Sequence, residues 1–146
     1  MATARESTLY ANLHTNKYLG DGRDYGGRSV RQIISVTVVS AAAVNDTYKV
    51  CKLPANCRMV DAKVVGSGNG ASAGAGVTVA VGDAGVADRY IKAADFDAAD
   101  ASASLNNDAG MNYTPTADTD IVLTFGGAAP VVGSTVAGWI EYIPGA

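Results

Sequence analysis

The stretch Val30-Arg-Gln-Ile-Ile-Ser-Val-Thr-Val-Val39 decides the fold class of this chain. β-Branched residues occupy nearly every other position, with Arg31, Gln32, Ser35 and Thr37 between them. This period of two places alternate side chains on opposite faces of a β-strand. β-Branched residues also favour strands over helices. The stretch therefore predicts a long strand with one dry face.

Similar short segments follow at close spacing towards the carboxyl terminus. Turn residues such as Asn45-Asp46, Pro54 and Gly82-Asp83 separate them. The gaps leave no room for the helical crossovers that a parallel sheet requires. The sequence therefore predicts an all-β fold, an antiparallel β-sandwich or jelly roll. Besides the first strand, the predicted elements are strands at 47–53, 58–65, 77–81, 111–113, 120–125 and 134–143, and one helical turn at 93–99.

The alternation within these strands also predicts the core. One face of each strand should pack inside the sandwich, so the apolar residues that repeat with a period of two are expected there. The residues expected in the core are Val36, Val38, Val50, Val60, Val64, Val79, Ile121, Leu123, Trp139 and Ile143.

Residues 1–28 differ from the rest of the chain. They contain no Val or Ile and follow neither a strand nor a helix period. A disordered terminus is the simplest interpretation; the alternative is an arm held by its own domain or by a neighbouring subunit. We predict an extended N-terminal arm at 1–28, followed by a single β-sandwich domain at 29–146. The arm residues expected to contact a neighbouring subunit are Tyr10, Tyr18, Arg23, Tyr25 and Arg28.

Length and composition narrow the classes of protein. The 146 residues fit one domain. Charged residues make up 17%, and 26 Ala, 17 Gly and 17 Val dominate, which excludes a coiled coil and a disordered chain. The net charge of −3 disfavours nucleic-acid binding. No signal-peptide core and no apolar run of about 18 residues is present, so a soluble chain in a cytosol, without a membrane partner, is expected.

The sequence offers little material for catalysis or metal binding. His14 is the single histidine and lies in the arm. The glycines at 66–76 match no phosphate-binding motif and predict a flexible loop, and the acids at 95–100 lack the Gly and Glu of a calcium loop. We expect no enzyme, no metal and no cofactor. Cys51 and Cys57 are two free, partly buried thiols or a local disulfide, with metal ligation the least favoured alternative.

Three segments together carry a resemblance. They are Tyr48-Lys-Val-Cys-Lys-Leu-Pro-Ala-Asn-Cys-Arg-Met-Val-Asp-Ala-Lys-Val64, Val77-Thr-Val-Ala-Val-Gly-Asp-Ala-Gly-Val-Ala-Asp-Arg-Tyr-Ile91 and Gly138-Trp-Ile-Glu-Tyr-Ile143. With their strands and turns, residues 30–143 resemble the decoration or cement proteins of tailed-bacteriophage heads, which are of jelly-roll type.

The resemblance implies a structural role in the virion. Such a protein binds the outer surface of the head between major capsid proteins, as a homo-oligomer, and stabilises the head after assembly in the host cytoplasm. Its partners would be the major capsid protein and copies of itself, as a dimer or a trimer. The loop at 66–76 would be a second contact or an exposed tip.

Three other classes stay open. A phage fibre or tail β-module would bind a receptor or carbohydrate, with Trp139 or a Tyr stacking on a sugar ring, although Trp139 is expected in the core. A tail-tube or head–tail connector subunit is also β-rich. A small hydrolase on a β-sandwich would need a pocket with paired acids or a metal, and the sequence has too few candidate residues for one.

Overall fold

The computed structural model describes residues 4–6, 29–67 and 73–145, and for 4–6 it describes the backbone. These ranges contain nine strands and one short helix. The strands are β1 (Ala4–Glu6), β2 (Val30–Thr37), β3 (Thr47–Leu53), β4 (Arg58–Ser67), β5 (Thr78–Asp83), β6 (Ile91–Asp95), β7 (Ser102–Ser104), β8 (Thr119–Gly126) and β9 (Thr135–Ile143), and the helix is α1 (Asp108–Met111).

The strands form two sheets that enclose one core. One sheet has the order β1-β3-β8-β5-β6 and the other β2-β9-β4-β7. All strand pairs of the described residues are antiparallel except β1 with β3. From β2 onward the chain alternates between the sheets, apart from the β5–β6 pair within one sheet. This connectivity of eight strands is a jelly roll, so the predicted fold class is confirmed.

Two elements between β5 and β8 differ from the prediction. The helical turn expected at 93–99 is wrong, because the chain there forms β6 and then a turn. The strand expected at 111–113 is also wrong, because α1 ends there. Asn107 caps α1 by accepting a hydrogen bond from the Ala109 N–H at 3.2 Å. β6 and β7 are short and each buries a single side chain, so neither shows a sustained period of two in the sequence.

The core prediction holds for most positions and fails at three. Val36, Val38, Val50, Val64, Val79, Ile121 and Leu123 are buried. Val60 is 42% exposed, because a bulge between Met59 and Asp61 changes the alternation of β4. Trp139 and Ile143 are only half-buried. Both sides of β9 carry apolar residues, and the side with Val136, Ile140 and Tyr142 is the one that faces the core.

Candidate binding surfaces

The described residues contain neither a cluster of metal-ligating side chains nor a helix that could span a membrane. Over 29–67 and 73–145, no group of three or more His, Cys, Asp or Glu residues is placed to hold a metal ion. Nor does a helix in these ranges have the length and apolar character to cross a bilayer.

The two cysteines lie inside the sandwich as free thiols. Cys51 and Cys57 are both 0% exposed. Burial raises the pKa of Cys57 to about 11 and raises that of Cys51 further, with nearby Asp120 adding to the effect on Cys51. Both thiols are therefore protonated at neutral pH and serve as small core side chains rather than nucleophiles.

A buried ion pair fastens the turn between β5 and β6. Asp83 Oδ1 accepts hydrogen bonds from the backbone N–H groups of Gly85 and Val86, each at 2.9 Å. The Arg89 guanidinium bonds to the same carboxylate, and its Cζ lies 3.8 Å from the centroid of the Tyr113 ring. Through Arg89, Asp83 at the end of β5 thus links this turn to Tyr113, which follows α1. Because both oxygens of the Asp83 carboxylate accept hydrogen bonds within this turn, we interpret the arrangement as structural.

Trp139 instead lies on the outer face of the four-stranded sheet. Its indole N–H donates to Asp61 Oδ2 at 2.9 Å. Arg31 Cζ lies 5.2 Å and Lys63 Nζ 5.7 Å from the ring centroid. Cations on the two strands that flank β9 therefore contact the ring, and the expected core position of Trp139 is wrong. The half-buried Trp139 side chain thus makes its hydrogen bond and its cation contacts with residues of its own sheet.

Glu141 completes the same face beside Arg31. The Arg31 guanidinium donates to Glu141 Oε2 through Nε at 3.0 Å and Nη2 at 2.6 Å, and the Ser29 hydroxyl donates to Oε1. The hydrogen bond from Ser29 and those from Arg31 lower the pKa of Glu141. Ile33 lies next to Trp139 across the β2–β9 pair, and its apolar side chain is 59% exposed.

Exposed valines gather at one end of the sandwich. β2 and β8 end there and β3 and β9 begin there, so the segments 38–45 and 127–134 lie side by side. The Val38 N–H donates to Ser134 O at 2.9 Å, and the Gly133 N–H donates to Val38 O at 2.7 Å. We call the exposed side chains of these segments the valine end; they are Val39 at 80%, Val44 at 40%, Val131 at 46% and Val132 at 49% exposed.

The valine end is almost free of charge. The stretches 38–45 and 127–134 contain no Asp, Glu, Lys or Arg. The neighbouring Asp46 is only 2% exposed, and its carboxylate accepts from the Ala43 N–H at 3.0 Å. Interfaces between proteins are depleted of charge at their centre, and isolated exposed apolar residues are ordinary whereas a cluster is not. In the sequence these segments are two uncharged apolar loops without the period of two that marks a strand.

The sequence-predicted contact residues fall outside the described part. Tyr10, Tyr18, Arg23, Tyr25 and Arg28 lie between residues 7 and 28, as does His14. The structure does describe the backbone of β1, which pairs in parallel with the outer edge of β3 from Ala4 opposite Thr47 to Glu6 opposite Lys49. This part of the predicted arm is thus held by its own domain.

The flexible loop predicted at 66–76 begins later than expected, because its first two residues belong to β4. β4 continues through Ser67, and residues 68–72 lie outside the description. Ala73 is 0% exposed; its N–H donates to Phe96 O and its carbonyl accepts from the Val131 N–H, both at 2.9 Å. Ala73 is therefore bound to the base of the valine end, whereas Ala75 and Gly76 are exposed. The expectation of a second contact or an exposed tip stays a prediction.

Three solved structures contain chains with the same fold. A chain in the capsid of Ralstonia phage GP4 matches with a TM-score of 0.74 and 17% identity, over 98% of this chain and 99% of that one. A chain in the cyanophage Pam1 capsid asymmetric unit matches with a TM-score of 0.65 and 23% identity, over 86% and 91%. A chain in the acid-stable capsid of Helicobacter pylori bacteriophage KHP30 matches with a TM-score of 0.58 and 16% identity, over 81% and 89%. No protein-family model matches the sequence, and neither does any curated protein. The chain thus has the jelly-roll fold found in chains of these three phage capsids.

Proposed function

We propose that this chain is a structural protein of a phage virion, a decoration or cement protein that binds the outer surface of the head between major capsid proteins and stabilises it. In this role it is not an enzyme and uses no cofactor. Its partners are the major capsid protein and copies of itself, and its place is the capsid exterior after assembly in the host cytoplasm. The fold it shares with chains of three phage capsids supports this role.

The observation that carries the proposal is the uncharged valine end. A Val side chain gains about 1.5–3 kcal/mol when it is fully buried. Val39 is 80% exposed in the isolated chain, so covering it supplies most of that amount, about 1–2 kcal/mol. Because the two loops hold no charged group, a partner can cover them without desolvating an ion. Many identical sites on a head make a modest affinity at each one sufficient.

A charge placed on the valine end tests the proposal. Val39→Lys removes the apolar contact and places an ammonium group in the interface, so we expect binding to undecorated heads to weaken by at least about tenfold. Val86→Lys is the matched control, because Val86 is 40% exposed in the β5–β6 turn at the opposite end. Co-sedimentation with heads gives the bound copies per major capsid protein. Equal binding by wild type and Val39→Lys would contradict the proposed contact.

The predicted arm forms the second part of the proposal. Tyr10, Tyr18 and Tyr25 would anchor it on a neighbouring subunit, with Arg23 and Arg28 beside them. Deleting residues 2–28 would also remove β1, so replacing the three tyrosines by Ala is the cleaner variant. We expect the triple variant to keep its thermal stability as an isolated protein and to dissociate from heads faster than wild type. Unchanged dissociation would remove the arm from the interface.

The outward position of Trp139 favours a second candidate, a receptor- or carbohydrate-binding module. A half-buried Trp on a sheet face is a common platform for a sugar ring. Here Arg31 and Lys63 already lie against the ring, and a sugar would have to displace one of them. Binding to a glycan array that disappears in Trp139→Ala would favour this candidate over head binding.

A further inference from the structure

The four-stranded sheet has one long open edge. Among the residues that the structure describes, β2 pairs only with β9, over eight consecutive positions without a bulge. The other outer strands are less open. β7 and β1 have three residues each, and β6 has five with Lys92 and Asp95 among them. β2 contains no Pro and one charged residue, Arg31, which Glu141 neutralises. Natural edges usually carry protection of these kinds against pairing with another chain, and β2 lacks it.

Backbone hydrogen bonds show which groups point to this edge. Val38 makes both of its backbone hydrogen bonds towards the β9 side. Backbone groups of successive residues in a strand point to opposite sides, so the even-numbered residues of β2 bond to β9. The odd-numbered residues direct their N–H and C=O groups to the open edge; they are Arg31, Ile33, Ser35 and Thr37.

We propose that two copies of this chain pair antiparallel through β2, about a twofold axis at Ile33, and so join their four-stranded sheets into one. In this register each Ile33 lies opposite its counterpart, and Arg31 of one copy lies opposite Ser35 of the other. The outward groups of these three residues then form about six inter-chain backbone hydrogen bonds. The inference concerns the contact between copies and does not rest on head binding.

Side chains on the outer face suit this register. Ile33 is 59% exposed in the single chain, and its counterpart would cover it. The two Arg31 residues stand four positions apart along the paired strands, roughly 13 Å, which exceeds the Debye length at physiological salt. A register centred on Ile34 would set Ile33 against Ser35, so neither Ile33 side chain would be covered by its counterpart. The Ile33-centred pair is therefore the favoured one.

Proline at an outward-facing position gives the sharpest variant. Ser35→Pro removes an N–H that points away from β9, so the ladder within the chain keeps its bonds while the edge loses a donor and gains the ring. Ser104→Pro is the matched control on the opposite edge of the same sheet. The Leu105 N–H and the Ala101 carbonyl bond to β4, so by alternation the Ser104 N–H also points outward.

Sedimentation equilibrium of the full chain, from about 1 µM to 1 mM, measures the pairing. We expect wild type and Ser104→Pro to approach twice the chain mass of 14.8 kDa, and Ser35→Pro to dissociate at least about tenfold more readily. Ile33→Lys, which leaves the backbone unchanged, should do the same, and circular dichroism checks that each variant is folded. A wild type that stays monomeric to 1 mM, or variants that associate as wild type does, would overturn the inference.

Amide exchange adds a residue-level test that needs no variant. The N–H groups of Gln32, Ile34 and Val36 should be protected at every concentration, whereas those of Ile33 and Ser35 should become protected only as the protein concentration rises. Protection of Ile33 and Ser35 in the dilute monomer would mean that the chain covers its own edge, and the inference would fail. If the protein forms dimers that do not bind heads, the proposed function is contradicted and this inference stands. If it binds heads as a monomer, this inference is contradicted and the proposed function stands.

Discussion

Replacing Asp83 by Ala should be the most damaging change to a charged residue in the described part of the chain. Asp83 is 3% exposed at its side chain and Arg89 18%. Removing the carboxylate leaves the guanidinium without its partner and leaves the N–H groups of Gly85 and Val86 without their acceptor. Breaking a buried ion pair from one side costs about 3–5 kcal/mol, because the remaining charge is not compensated.

Urea denaturation measures this cost as a change in the free energy of unfolding. With a slope of about 2 kcal/mol per molar urea, a loss of about 4 kcal/mol lowers the midpoint by about 2 M. Asp83→Asn keeps an acceptor for the turn amides and should cost less than Asp83→Ala. Asp88→Ala is the control, because Asp88 is an exposed acid in the same turn and should change stability by less than about 0.5 kcal/mol.

The result that would refute the reasoning is a small effect. If Asp83→Ala lowered the free energy of unfolding by less than about 1 kcal/mol, the turn would be held by other contacts, such as the stacking of Arg89 on Tyr113. Equal losses in Asp83→Ala and Asp88→Ala would likewise show that net charge, and not the ion pair, sets the stability.

Three further predictions use the same measurement of stability. Gly82→Ala should destabilise the fold by about 2–3 kcal/mol or more, because an added Cβ would lie 2.1 Å from Val86 O and 2.4 Å from the Ala87 carbonyl carbon; a neutral change would contradict this close approach. The contribution of Cys57 to the free energy of unfolding should be fully present below about pH 8.5 and fall as the pH rises from 9 towards 11. Burial raises the pKa of Cys57 from 9.0 to about 11, so the unfolded chain loses its thiol protons first. Melting curves at pH 7 and pH 10 check this, and an unchanged melting temperature would contradict it. Trp139→Phe should lower the free energy of unfolding by only about 1 kcal/mol, the value of the hydrogen bond to Asp61. Phe125→Ala should lower it by about 3–5 kcal/mol, because Phe125 is fully buried. The reversed order would show that Trp139 packs as a core residue.

The period of two in residues 30–39 was sufficient to predict a strand with one buried face, and the short strands and turns that follow predicted the fold class. The period of two was insufficient for Trp139, since β9 carries apolar side chains on both faces and only the packing of its sheet against the five-stranded sheet decides which face is buried. It was also insufficient for Val60, because the bulge beside it arises from pairing with β9 and has no mark in the local sequence.

The candidate surfaces were predicted less well than the fold. The position of the valine end depends on which loops the jelly roll brings together. Residues 38–45 and 127–134 are more than 80 positions apart in the sequence and meet because β2 pairs with β9. The open edge of β2 likewise follows from the order of strands in the sheet and from no motif within Val30–Thr37.

The two proposed surfaces together suggest how binding becomes stabilisation. Val39 lies six residues from Ile33, so an antiparallel pair about Ile33 places the two Val39 residues roughly 40 Å apart, at opposite ends of the joined sheet. A dimer would then hold one capsid contact at each end, and each contact would raise the effective concentration of the other. Disrupting the pairing through β2 should therefore lower the stabilisation of heads without abolishing binding to them, whereas loss of the valine end should lower both. Ser35→Pro should still bind heads through single valine ends, yet raise their melting temperature less than wild type does, whereas Val39→Lys should lose both effects. Heads stabilised equally by Ser35→Pro and wild type would show that each copy acts alone.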